Sequence, residues 1–162
     1  MHEENDELSD AETRAHLSAI GDDNEIPGDE ILYKRLPTDE KEWLVKDQIT
    51  GKPVRPTSGA FVPHPDGISV YRNSIMASQD PPLGPADLAV SSTNYILSFT
   101  AAQARSISLG IKNDAWPEGI ADADHPRNAA HALIVGLEKL GKKEKIRRQK
   151  EFSRLDFRFV YP

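Results

Sequence analysis

Arg55-Pro-Thr-Ser-Gly-Ala-Phe61 and, a few residues on, Gly67-Ile-Ser-Val-Tyr-Arg72 decide how this chain is read. Ala60-Phe-Val62 and Ile68-Ser-Val-Tyr71 have strand character, and Pro65-Asp66-Gly67 between them supplies turn chemistry. Arg55, Thr57, Ser58, His64, Ser69 and Arg72 stand at or beside apolar residues that want burial. Polar groups in such places find partners or do work, because burying one unpaired costs on the order of 1–3 kcal/mol. A second polar cluster, Asp122-Ala-Asp-His-Pro-Arg-Asn128, leads into the strand-like Ala130-His-Ala-Leu-Ile-Val135. These segments together make the best site candidate.

Working outward, Ile31-Leu-Tyr-Lys-Arg-Leu36 reads as a strand ended by Pro37, and Thr38 is placed to cap a short helix over 39–45. Residues 48–56 and 74–84 read as loops, and 85–90 as a single helical turn. Asn94-Tyr-Ile-Leu-Ser-Phe99 is a strand, and Thr100 caps a helix over 101–107. Leu109-Gly-Ile-Lys112 and 130–137 are further strands; a basic helix from Gly141 leads to the β-like Phe157-Arg-Phe-Val-Tyr161. Helices interspersed among short strands predict an α+β domain with a mixed or mostly antiparallel sheet.

The first thirty residues differ from the rest. They hold eleven acidic side chains and one basic, Arg14, for a net −10, whereas the remainder holds 19 basic against 15 acidic, for +4. The formal −6 of the whole is therefore an average of two opposed regions, and it excludes no anionic partner. Residues 1–30 are expected to be an acidic, partly disordered segment, with a short helix over Asp10-Ala-Glu-Thr-Arg-Ala-His-Leu-Ser-Ala-Ile20 capped by Ser9 and a linker over 22–29; the α+β domain is expected over 31–162. The chain has no cysteine, so disulfides and thiol chemistry are excluded. It shows neither a signal peptide nor an apolar run of the roughly 18 residues a membrane span needs, which predicts a cytoplasmic protein without membrane contact.

Among chemical candidates, Ser58 with His64 or His131 is the nucleophile–base pair the sequence offers, without a Gly-x-Ser-x-Gly elbow around it. Arg55, Thr57, Ser58, Ser69, Arg72 and His131 make a candidate ligand-binding set, since guanidinium forks grip phosphates and carboxylates. Asp122, Asp124 and His125 match no zinc or calcium spacing, and neither a metal nor a cofactor is expected. Lys142, Lys143, Lys145, Arg147 and Arg148 on the last helix are candidates for a nucleic-acid backbone, or for docking an acidic segment.

The series Leu32-Tyr-Lys-Arg-Leu-Pro37, Arg55-Pro-Thr-Ser-Gly-Ala-Phe61, Gly67-Ile-Ser-Val70, Ser98-Phe-Thr-Ala-Ala-Gln-Ala-Arg105 and Asn128-Ala-Ala-His-Ala-Leu-Ile-Val-Gly136 resembles a family of small, functionally uncharacterised bacterial proteins over about residues 31–150. The resemblance implies that Arg55, Ser58, Phe61, Ser69, Arg105 and His131 are motif positions, and implies no activity. A weaker likeness is to ADP-ribosyltransferase-like domains, which also open on a tyrosine–arginine strand. Glu118 and Glu138 are the only late glutamates offered for that family's catalytic position, and neither matches its motif.

The expectation is a small accessory or interaction module that binds a partner protein, through residues 1–30 or the basic helix, or an anionic ligand. The alternatives are an enzyme acting on a nucleotide-like substrate through Arg55, Ser58 and His131, and a nucleic-acid-binding protein.

Overall fold

A computed structural model describes residues 10–37, 43–89, 94–115 and 126–161. Among these are eight strands, β1 (Ile31–Pro37), β2 (Leu44–Lys46), β3 (Pro53–Pro56), β4 (Ile68–Arg72), β5 (Asn94–Thr100), β6 (Gly110–Asn113), β7 (His131–Val135) and β8 (Arg158–Tyr161). Four α-helices, α1 (Asp10–Ala19), α2 (Asn73–Ala77), α3 (Ala101–Ser106) and α4 (Lys142–Ser153), accompany them. Six strands form one sheet in the order β6-β7-β4-β1-β5-β8, and β2 pairs with β3 in a separate hairpin. Every strand pair is antiparallel, so the α+β class expected from the element order is the class observed. None of the helices among the described residues is long and apolar enough to cross a membrane.

Alternation along the central strands divides the sheet into two faces. Leu32 and Leu36 of β1, Ile68 and Val70 of β4, Leu97 and Phe99 of β5, and Ala132 and Ile134 of β7 join the larger core. Ala101 and Ala104 of α3 and Phe152 of α4 close that core from above. Its centre is aromatic: Phe152 lies 4.2 Å from Phe61 and 5.4 Å from Phe99, ring centroid to centroid. The opposite face carries Tyr33, Tyr71 and Ile96, packed with Met76 of α2, Leu88 and Ala130 in a smaller cluster.

Several local expectations are corrected. Residues 60–62 do not extend as a strand; Ser58–Phe61 is one 3-10 turn. Ala60 and Phe61 are both buried, and a strand would have thrown these neighbours to opposite faces. Of the helix expected over 39–45, residues 39–42 lie outside the described residues, and Leu44–Lys46 is strand β2. The supposed loop over 48–56 supplies its partner β3, because Asp47 builds the connecting turn. The Asp47 carboxylate accepts the backbone N–H groups of Thr50 and Ile49 at 2.9 and 2.8 Å, bonds that hold its pKa below the ordinary value. Within the supposed loop over 74–84, Asn73–Ala77 is helical and buries Met76 against the second face. The capping of α3 by Thr100 is as expected: Thr100 Oγ1 accepts the Gln103 N–H at 3.2 Å, and Gln103 Oε1 accepts the Thr100 N–H at 2.8 Å.

The described part of the acidic segment is packed against this sheet, including the stretch 22–29 expected as a linker. Ile26 is 1% exposed within the larger core. Asp22 is fully buried between Arg14 and Arg105, at 2.6 and 3.1 Å, and also accepts the Ile111 backbone N–H at 2.8 Å. It fits because residue 110 is glycine: a Cβ there would lie 2.6 Å from the Asp22 Cβ. The Ser9 cap expected for α1 lies outside the described residues.

Candidate functional site

β4 and β7 run antiparallel with Ser69 opposite Leu133 and Tyr71 opposite His131, so these four side chains share the second face. From that register Ser69 and His131 are diagonal neighbours, and the Ser69 hydroxyl lies 3.1 Å from His131 Nε2. β6 pairs with β7 through Asn113 and Ala132, which delivers the next residue, Asp114, to the other side of the same imidazole. His131 Nδ1 is 2.9 Å from the Asp114 carbonyl oxygen and 3.1 Å from its carboxylate Oδ2. Both neighbours of Nδ1 are acceptors, so in the neutral ring Nδ1 carries the proton and Nε2 accepts from the Ser69 O–H. The result is a carboxylate–imidazole–hydroxyl series across three adjacent strands.

The imidazole is 2% exposed and meets the Tyr71 ring edge-on at 5.4 Å. Tyr71 in turn links to β1: Arg35 donates to the Tyr71 hydroxyl at 3.3 Å, and its guanidinium carbon stands 5.5 Å from the ring centroid. Arg35 and Ser69 are each only half-buried, whereas Tyr71 and His131 form a buried floor. Tyr33, in register with Tyr71, donates its hydroxyl to Asn73 at 2.8 Å, and its pKa is raised by burial and by the nearby charge of Glu30.

On the opposite face of β1, Lys34 is directly opposite Leu97 in the sheet. Although Lys34 keeps some solvent-facing surface, desolvation pulls its pKa down to about 8, and the charge of Arg35 adds to the effect.

The structure brings together some of the residues singled out in the sequence and separates others. Ser69 and His131 are in direct contact. Ser58 and Thr57 are not near them: they enter the 3-10 turn whose Phe61 packs on α4, over the other face of the sheet. Arg55 is exposed on β3, outside the main sheet. Arg72 is taken up by the chain's own groups, donating to Glu30 at 2.8 Å and to Asn113 at 2.7 Å. Arg105 is held by Asp22, and His64 belongs to the turn that pairs with Gly67. Glu138 accepts the Gly136 N–H at 2.8 Å, and Glu118 lies outside the described residues, as do Asp122, Asp124 and His125. Among the described residues no three histidine, aspartate or glutamate side chains gather as metal ligands would.

On α4, Lys142, Lys143 and Arg147 are exposed and Lys145 is partly covered; Arg147 faces Glu144 at 2.8 Å. Arg148 donates to the Ile107 carbonyl at 2.6 Å, so it is committed to holding the helix on the domain. A groove of about 360 Å³ opens beside β5 and β8, lined by Ile31, Ser98, Thr100, Gln103, Asp156 and Arg158 among others. It contains no member of the Asp114–His131–Ser69 series.

Sequence reasoning missed Arg35, Tyr71 and Asp114. The period-two spacing of Tyr33 and Arg35 was a usable signal for the first. Asp114 had none, because its place depends on how β6 pairs with β7. Searches of protein-family models, curated proteins and solved structures gave no match, so the site is argued from this chain's own geometry.

Proposed function

We propose that this protein binds a small anionic ligand, a phosphate or carboxylate in size and charge, on the second face of its sheet. One observation carries the reading. Arg35 rests on the uncharged Tyr71, whose ring meets His131, whereas Arg72 and Arg105, also half-buried on the domain, are taken up by Glu30 and Asp22. Arg35 on β1 and Ser69 on the neighbouring β4 each stand two residues from the paired Tyr33 and Tyr71. A guanidinium fork and a hydroxyl on one half-open patch are what an anion's oxygens need.

Use of the acidic segment within the chain supports the ligand over capture of a partner by that segment. Asp22 and Glu30, two of its carboxylates, are engaged by Arg14, Arg105 and Arg72.

A thermal-shift series with phosphate, pyrophosphate, nucleoside diphosphates and small dicarboxylates tests this. A ligand at 100 times its Kd stabilises by about 2.7 kcal/mol, and Arg35→Gln should abolish the shift. No shift with any anion, or equal shifts in wild type and Arg35→Gln, would reject the reading.

A further inference from the structure

We infer that Ser69 is an activated nucleophile and that the face around it carries out acyl transfer to water from small esters. The nucleophile stands on the Asp114–His131–Ser69 series alone; only the anionic character of the substrate rests on the function proposed above. Three distances make the argument. The Ser69 hydroxyl is 3.1 Å from His131 Nε2, within reach of a general base. His131 Nδ1 is 3.1 Å from the Asp114 carboxylate and 2.9 Å from its carbonyl, a double acceptor that fixes the tautomer and steadies the imidazolium formed during proton transfer. The roles are those of a serine–histidine–aspartate relay, which is recognised by geometry and occurs on unrelated folds.

His131 is 2% exposed and shielded from bulk water, Ser69 is half-open, and the Asp114 carboxylate is 43% exposed at the far end. A purely structural histidine needs one acceptor and one donor to be satisfied. Here Nδ1 faces two oxygens of one residue, and Nε2 faces the hydroxyl of half-buried Ser69.

The reaction balances with water as the only co-reactant. Ser69 Oγ attacks the acyl carbon, a C–O bond forms, and the hydroxyl proton passes to His131 Nε2. The bond to the leaving alcohol breaks as His131 returns that proton to it. Water then attacks the Ser69 acyl ester, giving a proton to His131; the carboxylic acid leaves and Ser69 Oγ regains its hydrogen. Arg35, on the neighbouring strand, is placed to hold a carboxylate or phosphate elsewhere on the substrate and so to select anionic esters over neutral ones.

The test uses the full chain. Incubation with a fluorophosphonate probe, followed by intact mass and peptide mapping, should give one adduct, on Ser69: the Oγ–P bond forms, P–F breaks, and the proton leaves through His131. Ser69→Ala should remove the adduct. His131→Gln should slow labelling by about 100-fold or more, the usual contribution of a general base, and Asp114→Asn by at least about tenfold. Ser58→Ala should label like wild type. Circular dichroism confirms folding, and because Asp114 is partly exposed its variant keeps the test valid if His131→Gln unfolds. Hydrolysis of 4-nitrophenyl hemisuccinate should exceed that of 4-nitrophenyl acetate in kcat/KM. No adduct on the folded chain, an adduct on another serine, or equal labelling of wild type and Asp114→Asn overturns the inference. A chain that binds pyrophosphate yet forms no adduct loses the relay and keeps the anion site; a labelled Ser69 without anion binding does the reverse.

Discussion

Ser69 Oγ and His131 Nε2 sit 3.1 Å apart across the β4–β7 pair, and the imidazole is almost completely enclosed. Removing the hydroxyl takes a hydrogen bond from a buried ring nitrogen, which costs roughly 1–3 kcal/mol. Ser69→Ala should therefore lower the unfolding free energy by that amount, read as a lower urea midpoint at an unchanged m-value. A neutral result would mean that water replaces the hydroxyl and that the floor of the site is wetter than described.

Asp22 joins the acidic segment to the domain. Its carboxylate serves Arg14, Arg105 and the Ile111 N–H at once. Asp22→Ala leaves Arg105 largely buried without a counter-charge, and breaking a pair of this kind costs about 3–5 kcal/mol. Arg14 is 36% exposed, so Arg14→Ala should cost much less, within about 1 kcal/mol. Chemical denaturation of the two variants checks the ratio.

Lys34 gives the stability a pH dependence. Below about pH 8 the lysine is charged whether the chain is folded or not, and the folded chain bears the desolvation penalty in full. Between about 8 and the ordinary 10.5 the folded chain sheds this proton while the unfolded chain keeps it. The unfolded state then binds more protons, so stability from this group rises with pH across that window. The contribution is on the order of 1–3 kcal/mol. Lys34→Met should flatten the rise relative to wild type and raise stability at pH 7.

Gly67 closes the turn before β4 at φ +129°, and a Cβ there would lie 2.5 Å from the Ile134 carbonyl oxygen. Gly51 has φ +70° with open space around it. Gly67→Ala should cost several kcal/mol, because strain adds to a backbone clash, whereas Gly51→Ala should cost about 1–2 kcal/mol from the left-handed conformation alone. Thermal unfolding of both variants separates the two effects.

What could be read in the sequence follows from how local each signal is. Thr100 and Gln103 lie three residues apart, and the cap they form is legible without any tertiary information. His131 within an apolar strand was visible as a polar group that had to be satisfied. The turn at Ser58–Phe61 was misread because Ala60 and Phe61 look like strand residues until Phe152, some ninety positions later, supplies the surface that buries both. Arg72 looked like a ligand residue because its partner Glu30 lies 42 positions away, and Arg35 was overlooked because its place beside Tyr71 depends on strand order. The candidate site is thus half legible: Ser69 and His131 came from local pattern, while Asp114, Arg35 and Tyr71 came from the pairing of strands.

The most direct test of an anion site on this face is backbone and arginine side-chain ¹H–¹⁵N shift mapping during titration with pyrophosphate. The account predicts saturable shifts centred on Arg35, Ser69, Tyr71 and His131, absent in Arg35→Gln. Shifts confined to Lys142, Lys143 and Lys145 of α4, or no saturable shifts at all, would contradict it.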